Sequence, residues 1–218
     1  MASKTHVQTT INGESTDFLC EPRQSLLECL RDVIGLTGSK EGCNDGNCGA
    51  CTVVFDGKIV TSCLVLGVEA EGKEVTTIEG VASGSELHPV QQAMLDCHGS
   101  QCGFCTPGFV MSLFSMFKNH SRFNDNIIKD SIAGNLCRCT GYQPIIKAAR
   151  SLNNKNKIDH FTKNKESVIT LLKKINNETI AIYKKDKKYF APRYVQELKK
   201  ILKKNINSHL LSGGTDLS

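Results

Sequence analysis

Apolar and polar residues alternate over the first eighty positions, take up helical spacing from Pro89, and thin out beyond residue 152. In the first stretch VQTTI and TDFLC flank Asn12-Gly13. That dipeptide accepts the positive φ angles of a tight hairpin turn, so the pattern predicts two paired strands. Ser25 and Glu28 have the spacing of a capping box and open a helix that runs to Gly35. Leu26, Leu27, Leu30, Val33 and Ile34 form its apolar face. CTVVF and KIVTSC make a second hairpin across Asp56-Gly57, and VTTIEG is a last strand.

The next stretch predicts four helices. Pro89 suits the first turn of a helix through Cys97, with Val90, Ala93, Met94 and Cys97 on one side. Pro107 begins a second, striped by Val110, Leu113, Phe114 and Phe117. A third covers Asn126 to Ala133 and a fourth Pro144 to Leu152. Beyond these, 155–188 reads as linker with one helix near Ser167. YFAPRYVQELKKILKKN then reads as strand, turn and amphipathic helix, and HLLS as a strand before Gly213-Gly214.

Charge changes at the same boundary. Residues 1–150 carry 12 Lys+Arg against 16 Asp+Glu, whereas 151–218 carry 15 against 6. Few aromatics interleave with the late lysines and no nucleic-acid motif is present, so this is read as a solvated face rather than a nucleic-acid surface. No apolar run reaches the length of a membrane span, and MASKTHVQTT lacks a signal-peptide core. Eleven cysteines in such a chain are expected to be ligands rather than disulfides, which points to a reducing cytoplasm.

Eight of the cysteines fall into two sets. Cys43, Cys48 and Cys51, then Cys63, have the C-x4-C-x2-C spacing with a distant fourth thiol that holds a plant-type 2Fe–2S cluster. Gly42, Gly46 and Gly49 are interleaved among them. Glycine lets the backbone close round an inorganic core and brings N–H groups toward its sulfurs. A zinc knuckle favours paired C-x2-C units and does not match this run. Cys102 and Cys105, with Cys137 and Cys139, form the second set. As bare spacing, that set suits either a second cluster or zinc.

HPVQQAMLDCHGSQCGFCTPGFVMSLFSMF and GNLCRCTGYQPI resemble the second iron–sulfur domain of the xanthine oxidase family of molybdenum hydroxylases, and EGCNDGNCGACTV resembles that family's ferredoxin domain. HGSQCGFCTPGFVMSL is most similar to the small subunit of bacterial xanthine dehydrogenases. The resemblance runs from about Val7 to Ala149. It implies an α+β chain with a β-grasp ferredoxin domain over 1–82 and a four-helix cluster domain over 83–153. A linker over 154–182 would then lead to the start of an FAD-binding domain over 183–218.

The resemblance also implies that both cysteine sets hold 2Fe–2S clusters. Gln101 would contact a molybdopterin cofactor held by a large partner subunit, with Cys139 against the pterin. Ser212, Gly213, Gly214, Thr215 and Asp216 would approach FAD. The chain ends two residues after Asp216, so it is expected to be a fragment, a truncated gene product or one piece of a split subunit completed by another chain, with only part of a flavin domain of its own. The function implied is an electron relay from a purine-hydroxylating molybdenum centre toward FAD and NAD. The alternatives are the small subunit of an aldehyde oxidase or carbon monoxide dehydrogenase, a zinc-stabilised interaction module, and a decayed gene product that still holds clusters.

The other candidates have plain readings. Cys20, Cys29 and Cys97 lie in apolar patterns and are expected as buried small hydrophobes. His88 precedes a proline at a helix start and is expected to be structural. His98, His160, His209 and Glu41 have no partner spacing that suggests a ligand. No Ser-His-Asp set, H-E-x-x-H or G-x-G-x-x-G is present, so the chain carries no independent catalytic centre.

Overall fold

Paired short strands come first and four amphipathic helices follow within the first 152 residues. The computed structural model describes residues 4–155, 158–174, 179–185 and 187–210. Strands β1 (Thr5–Ile11) and β2 (Glu14–Cys20) pair antiparallel in the register Ile11↔Glu14. Asn12 and Gly13 turn between them with φ of 53° and 84°. Asp56 and Gly57, at 50° and 81°, do the same between β3 (Thr52–Phe55) and β4 (Lys58–Thr61). Both are turns in which the two central residues need positive φ, which Asn-Gly and Asp-Gly tolerate best. With β5 (Glu74–Thr76) the strand order is β2-β1-β5-β3-β4, and only β1 and β5 run parallel.

The helix of this half is α1 (Leu26–Glu28). Its capping box is formed: Ser25 Oγ accepts from the Glu28 N–H at 3.2 Å, and Glu28 Oε2 accepts from the Ser25 N–H at 2.7 Å. The sequence predicts one α-helix to Gly35. The structure instead widens after one turn into a π-helical stretch, Cys29–Val33, with an Ile34 N–H bond to the Cys29 carbonyl. The wider turn keeps Cys29 and Leu30 fully buried, with Leu26, Val7, Phe18 and Val53 in the same core.

In the second half, α2 (Pro89–Asp96), α3 (Thr106–Asn119), α4 (Asp125–Ile132) and α5 (Gln143–Ser151) enclose a core of Val90, Phe109, Leu113, Phe117, Ile128, Ile145 and Leu152. Helix α3 is the axis of this half and is buried along most of its length. Residues 1–163 form one compact unit and 164–218 another. Cys20 and Cys29 are fully buried as expected, whereas Cys97 is half-buried.

The 154–182 stretch carries α6 (His160–Lys173), which starts seven residues before the expected Ser167. Asp159 caps it by accepting from the Thr162 N–H at 2.8 Å. Beyond it, β6 (Ile180–Lys184) and β7 (Lys187–Ala191) form a hairpin, followed by α7 (Val195–Lys204). The partner strand β6 is not evident in the sequence pattern. No residue of β6, β7 or α7 is buried, which fits so few apolar residues in so small a unit. His209 and Leu210, expected to begin a strand, have no regular structure; residues 211–218, including Ser212 to Asp216, lie outside the described residues.

His88 is the N-cap of α2 and belongs to a buried polar cluster. Its Nδ1 accepts from the Val90 N–H at 3.2 Å, so Nε2 carries the proton and donates to Asp159 at 2.9 Å. Lys118 Nζ lies 2.8 and 3.0 Å from the two Asp159 oxygens. Burial pushes His88 below the ordinary histidine range despite Asp159, and so keeps it neutral. The unfolded chain takes up this proton first, near pH ~6.5. Stability from His88 is therefore present above that pH and lost as pH falls below it. We expect the thermal midpoint to fall between about pH 7.5 and pH 5, and to fall less in His88→Asn, which keeps a capping side chain but does not titrate. An equal fall in both would refute the assignment.

Candidate iron–sulfur sites

The first cysteine loop has no regular structure between α1 and β3, and its shape comes from backbone angles. Asn44, Gly46 and Gly49 have φ of 57°, 83° and 67°. A Cβ on Gly42 would stand 2.7 Å from Cys48 Sγ, so glycine is required for the loop to fold over that sulfur. Cys43 Sγ accepts from the Cys48 N–H at 3.3 Å. Cys51 ends the loop at the start of β3, and Cys63 lies in the single turn, Ser62–Leu64, that follows β4. Ser62 donates to the Cys51 carbonyl through Oγ at 2.7 Å and through its N–H at 3.3 Å. The hairpin ends thus bring Cys63 to Cys51, as Cys48 is brought to Cys43.

The second set is assembled from helix ends. Cys105 is the N-cap of α3, and Cys102 precedes it across Gly103, at φ 87°. Cys137 and Cys139 lie in the loop from α4 to α5. Cys139 Sγ is 3.6 Å from Cys102 Sγ, and Cys137 lies beside Cys105. The Thr140 hydroxyl and N–H approach Cys137 Sγ at 3.1 and 3.4 Å. Tyr142 holds this loop by accepting the Cys137 N–H at 3.0 Å. It does so from a left-handed conformation, φ 67°, that a bulky residue rarely adopts.

All eight predicted thiols are therefore brought together as two fours, each made of two pairs. Among the described residues no three His, Cys, Asp or Glu side chains converge on one point as a single-ion site requires. Pairs fit two irons with two thiolates each. Burial, and then the neighbouring Cys51, pushes Cys63 up to about 12; burial, and then Cys137, does the same to Cys105. These two thiols need adjacent positive charge to ionise, which ferric iron would supply when bound. The donor set, the glycine-shaped loop and the N–H groups aimed at sulfur fit a 2Fe–2S cluster in each place.

The two loops touch. The Leu136 N–H donates to the Cys48 carbonyl at 2.9 Å, so adjacent ligand segments share a hydrogen bond. Phe104, between Cys102 and Cys105, lies beside Gly42. A Cβ on Gly49 would meet the Gly134 carbonyl at 2.2 Å, and one on Gly108 the Gly49 carbonyl at 2.1 Å. On the outer side of the second set, Gln101, Cys102 and Cys139 are exposed together with Phe104. Asn135, Leu136, Thr140 and Tyr142 were not singled out from the sequence. Their signal was position: all lie within GNLCRCTGY, flanking two ligand cysteines.

A chain that folds two such loops into one body is a two-cluster iron–sulfur protein. Residues 9–77 match the family model of the 2Fe-2S iron-sulfur cluster binding domain, and 77–150 match that of the [2Fe-2S] binding domain. The chain is 45% identical over 150 residues to caffeine dehydrogenase subunit gamma of Pseudomonas sp. (strain CBB1), across 67% of this chain and 90% of that subunit. It is 48% identical over 144 residues to xanthine dehydrogenase of Blastobotrys adeninivorans, across 61% of this chain and 10% of that protein. The crystal structure of quinoline 2-oxidoreductase from Pseudomonas putida 86 superposes with a TM-score of 0.67 at 41% identity, covering 68% of this chain and 92% of that one. The chain belongs to the family of small iron–sulfur electron-transfer subunits of molybdenum hydroxylases. No helix among the described residues is long and apolar enough to cross a membrane.

Gly49 and Gly72 separate backbone strain from contact between the loops. Both have left-handed φ, 67° and 66°, but a Cβ on Gly72 meets nothing within 4 Å. Gly72→Ala is expected to cost only the backbone strain, about 1–3 kcal/mol. Gly49→Ala is expected to lower the urea midpoint further and to expose the Gly134 region to limited proteolysis. Equal losses in the two variants would contradict the close approach.

Proposed function

We propose that this chain is the electron-relay subunit of a purine-hydroxylating molybdenum enzyme, standing between a molybdopterin centre on a large partner subunit and FAD and NAD. When bound, each 2Fe–2S cluster supplies a one-electron couple. Cys43, Cys48, Cys51 and Cys63 hold one cluster; Cys102, Cys105, Cys137 and Cys139 hold the other. The hydrogen bond from Leu136 to the Cys48 carbonyl carries this reading, because it links ligand segments of the two sets by a short polar contact inside one compact unit.

The exposed Gln101, Cys102 and Cys139 form the face that meets the pterin. The Gln101 amide can donate and accept along a pterin edge. Cys105 and Cys137 are the more buried pair of this set. Residues 212–216 are the proposed contact with FAD. Relatives named for caffeine and xanthine, both purines, support a purine as the substrate class, and relatives named as aldehyde oxidases support an aldehyde equally. The chain's own part is to hold, orient and tune the clusters.

The test is Cys102→Ser in the assembled complex. The first cluster is expected to remain, with its EPR signal unchanged. The second signal is expected to be lost, and with it reduction of the first cluster by xanthine. Disappearance of both signals, or purine-driven reduction of the first cluster in the variant, would overturn the assignment.

A further inference from the structure

Asn135 is 4% exposed and stands two residues before Cys137, yet it is not a ligand. Its amide spans the two halves of the unit. Nδ2 donates to the Gly49 carbonyl at 3.1 Å, and Oδ1 accepts from the Ser112 hydroxyl of α3 at 2.6 Å. The orientation is fixed by chemistry, since a carbonyl only accepts and must face the amide nitrogen. Its own N–H is bonded to the Ile132 carbonyl at 2.9 Å.

Gly49 follows Cys48, and Leu136 follows Asn135. Two consecutive carbonyls of the first loop are therefore held by two consecutive residues of the second: Gly49 by the Asn135 side chain and Cys48 by the Leu136 N–H. The Gly49 carbonyl also accepts from Thr52, through its N–H at 3.2 Å and its hydroxyl at 2.7 Å, so the first loop is anchored to β3 at the same atom. Ser112 in turn ties Asn135 to the helix that Cys105 caps.

We propose that Asn135 is a positioning residue for electron transfer between the two clusters. It sets the length and direction of the Leu136-to-Cys48 hydrogen bond, and so the coupling across it. This rests on the relay reading above. The Gly49 carbonyl demands a donor opposite it, while the Ser112 hydroxyl donates to the other end of the same amide. Aspartate keeps the size but turns an acceptor toward the Gly49 carbonyl, and alanine removes both bonds.

The experiment compares the cluster-loaded wild type, Asn135→Ala and Ser112→Ala by two measurements. One is the magnetic splitting between the two reduced clusters by EPR; the other is hydrogen exchange at the Leu136 amide. In Asn135→Ala both individual cluster signals are expected to persist, with the inter-cluster splitting diminished. Leu136 exchange is expected to rise a few-fold to about tenfold, the factor for one ordinary hydrogen bond. Ser112→Ala is expected to move both readouts in the same direction by less, and decides the matter if Asn135→Ala does not fold. Unchanged splitting and exchange with both clusters present would overturn the role of Asn135 and leave the relay reading intact. Absence of a second cluster in the wild type would overturn the relay reading itself.

Discussion

The buried thiols Cys63 and Cys105 need positive charge beside them before they can ionise, and the fold sets each of them among three further thiols. The four sulfurs of each set come from two segments, 43–51 with Cys63 and 102–105 with 137–139. Burial, and then the neighbouring Cys51 and Cys137, pushes Cys63 and Cys105 up to about 12, so these two thiols stay protonated without a cation beside them. Metal binding and folding are then coupled, because the ligands meet the iron as anions only where the chain has closed. The β3–β4 hairpin, the N-terminus of α3 and the loop before α5 deliver the sulfurs as pairs, which suits a core of two irons.

That constraint explains why the two halves form one body. A loop wrapped round a cluster has few carbonyls and N–H groups paired within itself, and buried polar groups must find partners. Part of the first loop's demand is met by the second: Leu136 serves Cys48 and Asn135 serves Gly49. Glycine at 49 and 108 lets the backbones approach closely enough for these bonds. The packing that satisfies the backbone also brings the two ligand sets together, so the stability of the unit and its capacity to pass electrons share a cause. The second unit, 164–218, shows the reverse: an amphipathic α7 and a Lys-rich hairpin with no buried residue, where apolar stripes lack a core of their own.

Much of this was legible in the sequence where a single local rule decides. Asn12-Gly13 and Asp56-Gly57 announced their hairpins, Ser25 and Glu28 their capping box, and the cysteine spacing its two sets. Features that depend on distant partners were not legible. The π-helical stretch after Glu28 follows from burying Cys29 and Leu30 against the sheet. His88 was read as structural, but its partner Asp159 lies 71 residues away. Helix α6 begins early because Asp159 caps it, and β6 exists only through pairing with β7. Asn135 reads in sequence as one polar residue before a cysteine, and its role is visible only once Gly49 and Ser112 stand on either side.

The central claim is that one chain holds two 2Fe–2S clusters in two loops that share hydrogen bonds. EPR of the anaerobically purified, dithionite-reduced chain, with iron and zinc quantified on the same sample, tests it most directly. Two distinct rhombic signals, split by mutual interaction, are expected at about four irons per chain. Bound zinc with no EPR signal, or one signal at about two irons per chain, would contradict it.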